Sequence, residues 1–368
     1  MKIIKTTAIL LFLFVFSFSY SYGEDSSITT LMAHEDSVMS ADFSADGLYV
    51  YSGGYDYMII KWRIDNSENV VYISGLKDNE DKDKGKGSNK DKVSSNTGHN
   101  DIINCVRVSV DGKILVSASN DSTIKLWSVQ SNSLLKTISP HSHYVNSVAF
   151  SLDGKKMVTA SSDKSVKILS FVAPYNVLMT LKGHTDEVKS VAFSQGGTYV
   201  ASGGEDCTVR IWSATEGKLL QTIKPHSNEA VNCVAFSPKG KYMASGGSDK
   251  NAIIWDFSKG KITEKFVLRG HDRKVNAVSF SPDGTMLATA SDDTDIRVWD
   301  VETGEDIAVL TGHGDKVNDV VFSRDSKMLV SASDDRTVKV WEVPGMNDSL
   351  QPEENNSSQD ADEVGYYE

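Results

Sequence analysis

Seven segments of the chain repeat the same residue types at the same spacing. The last copy consists of His313, Ser331, Asp335 and Trp341. Five other copies are complete: His34, Ser52, Asp56, Trp62; His99, Ser117, Asp121, Trp127; His184, Ser202, Asp206, Trp212; His226, Ser245, Asp249, Trp255; and His271, Thr289, Asp293, Trp299. The remaining copy has His141, Thr159 and Asp163, with Leu169 in place of the tryptophan. A repeat of this length predicts a ring or array of small similar units.

Each repeat has the pattern of short β-strands separated by polar turns. In the last copy, alternating β-branched residues predict strands over 317–322, 328–333 and 337–342. That copy ends at Val343 without a fourth strand, whereas residues 28–31, before the first copy, have the pattern of a fourth strand. We therefore expect the N-terminal strand to complete the last unit, which would remove the free edges where the two chain ends meet.

The chain resembles the WD-repeat (WD40) β-propeller family over residues 28 to 343. The residues that carry the resemblance are the Gly-His pairs at 98–99, 183–184, 270–271 and 312–313, the turn Ser281-Pro282-Asp283-Gly284, and the closing tryptophans. The resemblance implies an all-β, seven-bladed propeller of four-stranded antiparallel blades, closed by the N-terminal strand. It also implies that each tryptophan, hydroxyl, histidine and aspartate form a buried relay. The function that it implies is a non-catalytic scaffold for protein–protein interactions.

The Ser/Thr-His-Asp sets look like hydrolase triads, but an enzyme needs one exposed nucleophile beside a base. Seven equivalent copies indicate a structural role instead, so the chain is predicted not to be an enzyme. No Cys/His spacing suggests a metal and no Gly-rich phosphate loop is present, so no cofactor is expected. Two alternatives stay open at this point: an extracytoplasmic propeller that binds a small ligand or a glycan, and a propeller-scaffold enzyme.

The sequence divides into a leader, a propeller and a tail. Residues 1–23 have the lysines, the apolar run and the small-residue exit of a signal peptide cleaved after Gly23, which predicts a secreted or periplasmic protein. The alternative is a membrane anchor formed by residues 3–22. We expect a propeller over 24–344 with a charged, flexible loop inserted at 75–97, and an acidic, disordered tail over 345–368.

Charge and cysteine content constrain the partners. With 38 Lys and Arg against 50 Asp and Glu, the net charge of −12 weighs against binding to a nucleic acid backbone. We therefore expect a monomer that binds protein partners of unidentified kind, and that contacts a membrane only if the leader stays uncleaved. The scattered Cys105, Cys207 and Cys233 are predicted to be buried free thiols.

The channel mouth is the predicted partner site. It should be lined by the residues that flank the first buried residue of each inner strand and by the residue before each turn aspartate. In blades 1 to 3 these are apolar or aromatic: Met39, Tyr55, Ile102 and Tyr144. In blades 4, 6 and 7 they are charged: Glu187, Lys189, Lys274, Asp292, Lys316 and Asp334. Large apolar residues at a rim suggest contact anchors. An asparagine in five inner strands predicts a polar channel lining.

Overall fold

The computed structural model describes residues 25–74 and 97–344. The predicted signal peptide and acidic tail lie outside the described residues, as does the predicted loop insertion apart from Thr97. Across the described ranges, no helix is both long enough and apolar enough to cross a membrane. The same ranges contain one short 3-10 turn, His226–Asn228.

Seven antiparallel sheets of four strands each form the ring, which confirms the predicted fold. Within each blade the strands follow chain order from the channel outwards. The strands of blades 1 to 4 are β2 (Val38–Phe43), β3 (Tyr49–Gly54), β4 (Ile59–Arg63), β5 (Asn66–Ser74); β6 (Ile103–Val108), β7 (Ile114–Ser119), β8 (Ile124–Ser128), β9 (Leu134–Ile138); β10 (Val145–Phe150), β11 (Lys156–Ser161), β12 (Ser165–Ser170), β13 (Val177–Lys182); β14 (Val188–Phe193), β15 (Tyr199–Gly204), β16 (Val209–Ser213) and β17 (Leu219–Ile223).

Blades 5 and 6 follow the same order, and blade 7 borrows its outer strand from the start of the chain. The strands are β18 (Val231–Phe236), β19 (Tyr242–Gly247), β20 (Ala252–Ser258), β21 (Lys261–Leu268); β22 (Val275–Phe280), β23 (Met286–Ser291), β24 (Ile296–Asp300), β25 (Asp306–Leu310); and β26 (Val317–Phe322), β27 (Met328–Ser333), β28 (Val338–Glu342) with β1 (Thr29–Leu31).

The apolar core lies between the blades rather than in a single centre. Each of seven buried clusters combines side chains from two neighbouring blades, and the cluster between blades 6 and 7, for example, contains Ile296, Val298 and Trp341. The second strands come so close to their neighbours that glycine is required at some positions. A Cβ on Gly53 of blade 1 would lie 2.7 Å from Ile103 Cγ2 of blade 2. The repeat thus encodes the surfaces by which blades stack.

The ring closes through the N-terminal strand, as the missing fourth strand predicted. β1 pairs antiparallel with β28, in a register that places Thr30 opposite Lys339. The Leu31 side chain is fully buried in the cluster between blades 7 and 1. The Lys339 ammonium donates to Asp25 Oδ2 at 2.5 Å and to Thr30 Oγ1 at 2.8 Å. Main-chain pairing, apolar burial and an ion pair therefore all fasten the first residues to the last blade.

The cysteine prediction is correct for two of the three thiols. Cys105 and Cys233 are buried free thiols, and burial raises the pKa of each. Cys207 is only half-buried, because it lies in the turn between β15 and β16, where its φ of 61° places it in the left-handed region. The prediction of a buried thiol at Cys207 is therefore wrong.

Candidate functional site

The tetrads have the predicted relay geometry. In blade 7, Trp341 Nε1 donates to Ser331 Oγ at 2.8 Å, the hydroxyl lies 2.7 Å from His313 Nε2, and His313 Nδ1 lies 2.7 Å from Asp335 Oδ2. The relay recurs in the other complete copies, with every hydroxyl residue fully buried. Both ring nitrogens of each tetrad histidine are hydrogen-bonded, so these histidines are not free to activate an exposed nucleophile. The tetrads hold each turn against two strands.

Blade 3 has a shortened relay. His141 lies 2.7 Å from Thr159 Oγ1 and 2.8 Å from Asp163 Oδ2, but Leu169 offers no indole donor. Thr159 Oγ1 has one other hydrogen-bond partner among the described residues, the Lys167 carbonyl oxygen at 3.4 Å. The hydroxyl proton cannot serve both that oxygen and the histidine. Burial lowers the pKa of His141, which keeps the ring neutral. Although burial opposes it, hydrogen bonds from Ser165 and His141 lower the pKa of Asp163 to about 2.

A cavity of about 700 Å³ occupies the channel. Five of the ten predicted mouth residues line it: Met39, Tyr55, Glu187, Lys189 and Lys274. The other five occupy the equivalent positions of their blades but lie outside the cavity lining: Ile102, Tyr144, Asp292, Lys316 and Asp334.

The two predicted aromatic residues of the mouth are exposed. Tyr55, before the turn of blade 1, is 43% exposed, and Tyr144, before β10 of blade 3, is 40% exposed. The His143 ring packs on Tyr144 with its centroid 4.2 Å away, which restricts the orientation of the tyrosine ring. Ile102 and Met39 are half-buried. This group, the apolar sector, consists of Met39, Tyr55, Ile102 and Tyr144.

The lysines of the mouth pair with acidic residues of their own blades. Lys189 Nζ lies 2.5 Å from Glu205 Oε1 in blade 4. Similar pairs, Lys274–Asp292 in blade 6 and Lys316–Asp334 in blade 7, are both 3.5 Å apart, but there the lysine precedes the inner strand. Among the described residues, no such pair forms in blade 1, where Met39 and Tyr55 occupy the positions of Lys189 and Glu205.

The channel asparagines join neighbouring blades, a role that the sequence analysis did not foresee. In blade 6, Asn276 Nδ2 donates to Asp292 Oδ1 at 2.8 Å and to the Val317 carbonyl of blade 7 at 2.9 Å. The equivalent asparagines of four other blades also bond to the next blade: Asn104, Asn146, Asn232 and Asn318. The backbone partner is an acceptor, so the amide nitrogen must face it. The sequence did carry a signal, because the second residue of the inner strand is asparagine in five of the seven repeats.

A charged cluster in the channel wall ties blades 7, 1 and 2 together. Arg107 of β6 reaches past blade 1 to Asp319 of β26, with Nη1 2.9 Å from Oδ2. Between them, Ser40 Oγ accepts from Arg107 Nη1 at 2.8 Å and donates to Asp319 Oδ2 at 2.7 Å. Asp42 accepts the Val108 N–H at 2.7 Å, and burial raises its pKa to about 6 although Arg107 opposes the shift.

Sequence reasoning missed this cluster, but a signal was present. Arg107 and Asp42 stand where the other five inner strands carry Ala, Ser or Val, and Asp319 stands where other blades carry Ser, Cys or Ala. Charge at an otherwise small inner position marks a specific contact, because an unpaired charge there would be costly. Within residues 25–74 and 97–344, no group of three or more His, Cys, Asp or Glu side chains could hold a metal ion.

The chain is similar to several known proteins. The family model described as "WD domain, G-beta repeat" matches residues 25–63, 90–128, 132–170 and 175–213. The model described as "Echinoderm microtubule-associated protein second beta-propeller" matches residues 198–362. WD repeat-containing protein 18 of Danio rerio is 29% identical over 102 residues, which are 28% of this chain and 21% of that protein.

Two further relatives also match over small parts of their own length. The protein of the same name from Bos taurus is 45% identical over 42 residues, 11% of this chain and 10% of that protein. U3 small nucleolar RNA-interacting protein 2 of Mus musculus is 26% identical over 114 residues, 31% of this chain and 22% of that protein. The chain thus spans less than a quarter of each of these relatives. Repeat models along the chain, seven four-stranded blades and the buried tetrads together place the chain in the WD-repeat (WD40) β-propeller family.

Proposed function

We propose that the propeller is a non-catalytic platform that binds protein partners through the apolar sector of its channel mouth. WD-repeat propellers are generally scaffolds of this kind. The observation that carries the proposal is the contrast between the two sides of the mouth. Tyr55 and Tyr144 are exposed, whereas Lys189, Lys274 and Lys316 pair with acids of their own blades.

The contrast matters because the two sides offer different binding energies. Exposed aromatic residues bury a large area and lose little conformational entropy, so they commonly act as binding hot spots. A charged side chain that already has an ion-pair partner must give up its hydration or that partner before it can contact another protein. Either loss costs free energy and reduces what the contact contributes to binding. We therefore expect most of the binding free energy to come from Tyr55 and Tyr144, and the charged side to contribute mainly to the association rate.

A protein partner fits this chain better than a nucleic acid. One relative is named as an RNA-interacting protein, but its match spans only 31% of this chain. The net charge here is −12, and an acidic surface repels a phosphate backbone. Salt dependence distinguishes the two classes of partner. Binding to a nucleic acid releases counterions from its phosphates, and the free energy gained from that release falls steeply as the salt concentration rises.

We also propose that the chain enters a secretory pathway, with residues 1–23 as the signal peptide and residues 24–344 as the propeller. The support is the pattern of Lys2 and Lys5, followed by the apolar run and the Ser21/Gly23 exit. N-terminal sequencing of the protein from its native source should begin at or near Glu24. Recovery of soluble cytosolic protein that still carries Met1 would refute this, and membrane-bound protein with an intact N-terminus would favour the anchor over residues 3–22.

The binding proposal is tested with the mature chain, residues 24–368, as bait in material from its native source. Each captured protein is then purified and its affinity measured directly. Tyr55→Ala and Tyr144→Ala should each cost about 1 to 3 kcal/mol of binding free energy. Leu48→Ala is the matched control, because Leu48 is another exposed large apolar residue of blade 1 but lies in the turn between β2 and β3, at the opposite end of those strands from Tyr55.

The variants must first be shown to melt at the wild-type temperature. If both tyrosine variants are folded and bind with wild-type affinity, the partner does not use the apolar sector. If Leu48→Ala weakens binding as much as Tyr55→Ala, the contact surface is the opposite face.

A further inference from the structure

Exposed large apolar side chains are unevenly distributed around the ring, and blades 5 and 6 have none among their described residues. In the described part of the chain they occur between residues 28 and 220, and none occurs between residues 226 and 344. Blade 3 carries five of them: Tyr144, Leu152, Val172, Val177 and Leu178. Scattered exposed apolar residues are common, but a concentration of them indicates an interaction surface.

The outer edges of blades 2, 3 and 4 carry an exposed leucine at a position where blades 5 and 6 do not. Blade 2 presents Leu135 and blade 4 presents Leu220. At the bulge where the outer strand meets the third strand, blade 3 presents Leu178, which is 50% exposed, next to the exposed Val177. In blade 5 the equivalent residue is Lys265, which bonds to Tyr242 and Glu302. In blade 6 it is Ile307, which packs on the core cluster between blades 6 and 7.

Backbone groups on this edge are also available. β13 is the last strand of its sheet, so alternate N–H and C=O groups face away from the blade. On blade 4, by contrast, the Gln221 side chain already covers part of the neighbouring edge, because it bonds to the Ile262 N–H at 2.7 Å and to the Ile262 carbonyl at 3.0 Å. An edge strand with exposed aliphatic side chains is suited to pair with an extended segment.

The charge of blade 3 selects the kind of segment. Residues 141–182 contain five lysines and two aspartates in a chain whose net charge is −12. The exposed Lys182 ends β13, and the exposed Lys136 lies on the outer strand of blade 2. The outer strands β9, β13 and β17 contain no acidic residue. Blade 5 also has more bases than acids, six against four over 226–268, but it exposes no large apolar side chain.

One segment of this chain has the complementary composition. Residues 345–368 contain seven acids and no Lys or Arg, and they end in Val364-Gly365-Tyr366-Tyr367-Glu368. They follow Pro344, which comes just after β28 of blade 7. Twenty-four extended residues reach about 80 Å, whereas a domain of this size is roughly 50 Å across. The segment can therefore reach any blade of its own ring.

We propose that residues 345–368 bind in an extended conformation along the outer edge of blade 3. Their acids face Lys182 and Lys136, and the Val364–Tyr367 end packs on Val177 and Leu178. Among the blades that expose large apolar side chains, blade 3 has the largest excess of basic over acidic residues, five against two, so an acidic segment with an aromatic end should favour its edge. Binding there also covers an edge that would otherwise be open to pairing with other chains.

The first test uses a fluorescent peptide of residues 345–368 and a propeller that ends at Pro344, which retains all 28 strands. We expect saturable binding that weakens as salt rises, because the contacts include exposed charges. Leu178→Asp and Lys182→Glu should each weaken binding at least tenfold. Lys261→Glu is the matched control, since it makes the same charge change on the exposed start of the outer strand of blade 5.

Three results would overturn the proposal. One is the absence of saturable binding by the peptide. Another is binding that Leu178→Asp and Lys182→Glu leave unchanged while the variants keep the wild-type melting temperature. The third is a loss with Lys261→Glu as large as that with Lys182→Glu, which would show a general attraction between an acid-rich peptide and exposed lysines.

The second test uses the whole mature chain, residues 24–368. Amide hydrogen exchange of β13 should be slower in this chain than in the chain that ends at Pro344, because the added segment protects the outward N–H groups. The outer strand of blade 5, β21, should exchange at the same rate in both. Equal exchange of β13 in the two chains overturns the proposal, and protection that appears only at high protein concentration overturns the binding of the segment to its own ring.

Discussion

Replacing Leu31 by alanine tests whether the N-terminal strand closes the ring energetically as well as geometrically. Leu31 is fully buried between blades 7 and 1, where it packs with Val38 and Val338. Its backbone lies in the ladder between β1 and β28. The substitution leaves the ladder intact and removes only the side chain, so it isolates the contribution of apolar burial to closure.

The size of the effect follows from burial and from the size of the ring. A fully buried leucine replaced by alanine costs about 2 to 5 kcal/mol of the free energy of unfolding. At about 2.1 cal/mol/K per residue, a ring of roughly 320 residues has an unfolding entropy of about 0.7 kcal/mol/K. The melting temperature should therefore fall by about 3 to 7 °C. Deleting residues 24–33 should lower it further, because Lys339, which is 4% exposed, would lose Asp25 and Thr30 as partners.

The assay is thermal unfolding followed by circular dichroism and calorimetry, with Ile28→Ala as the control. Ile28 belongs to the same segment, and its N–H bonds to the Val340 carbonyl, but its side chain is 55% exposed. We expect Ile28→Ala to change the melting temperature by less than about 1 °C. If the two variants melt together, the Leu31 side chain does not stabilise the closed ring. If the chain without residues 24–33 melts like the wild type, the closure itself is refuted.

Three other perturbations test the relay, the asparagine bridges and the channel cluster. Hydrogen exchange of β10 and β11 should be the fastest among the blades, because Thr159 lacks an indole donor; equal protection in every blade would contradict this. Asn276→Ala should lower the free energy of unfolding by about 1 to 3 kcal/mol, measured from urea midpoints, and an effect no larger than that of Lys189→Ala would count against the bridge. Asp42 has a folded pKa of about 6, above its unfolded value, so its proton uptake stabilises the fold as pH falls from about 7 to 4. Asp42→Asn should therefore lose about 1 to 3 kcal/mol more than the wild type over that range, and parallel pH profiles would refute the assignment.

The architecture could be predicted from the sequence because the same residue pattern recurs in every blade. Seven histidines at regular intervals determine the blade count, and the absence of a fourth strand after Val343 identifies the strand that closes the ring. Leu169 marks the one blade with an incomplete relay. Each of these inferences needs only comparison between copies, and no long-range contact has to be known in advance.

The contacts between blades were harder to predict. One partner of Asn276 is a backbone carbonyl, a group that every residue type has, so the recurring asparagine indicates a special position but not the group that it bonds. The ion pair between Arg107 and Asp319 joins positions 212 residues apart, and it depends on which inner strands lie side by side. The exposure of Cys207 follows from a left-handed turn residue that the repeat pattern did not identify.

The closing strand has a consequence for synthesis. Asp25 and Lys339, which meet in the closed ring, are 314 residues apart in the chain. At about 5 to 20 residues per second, β1 is made roughly 15 to 60 s before its partner strand exists. During that interval the six earlier blades can form in order, but the first strand has no place in any of them. The ring therefore becomes a single body only when one of the first strands to be made meets the last.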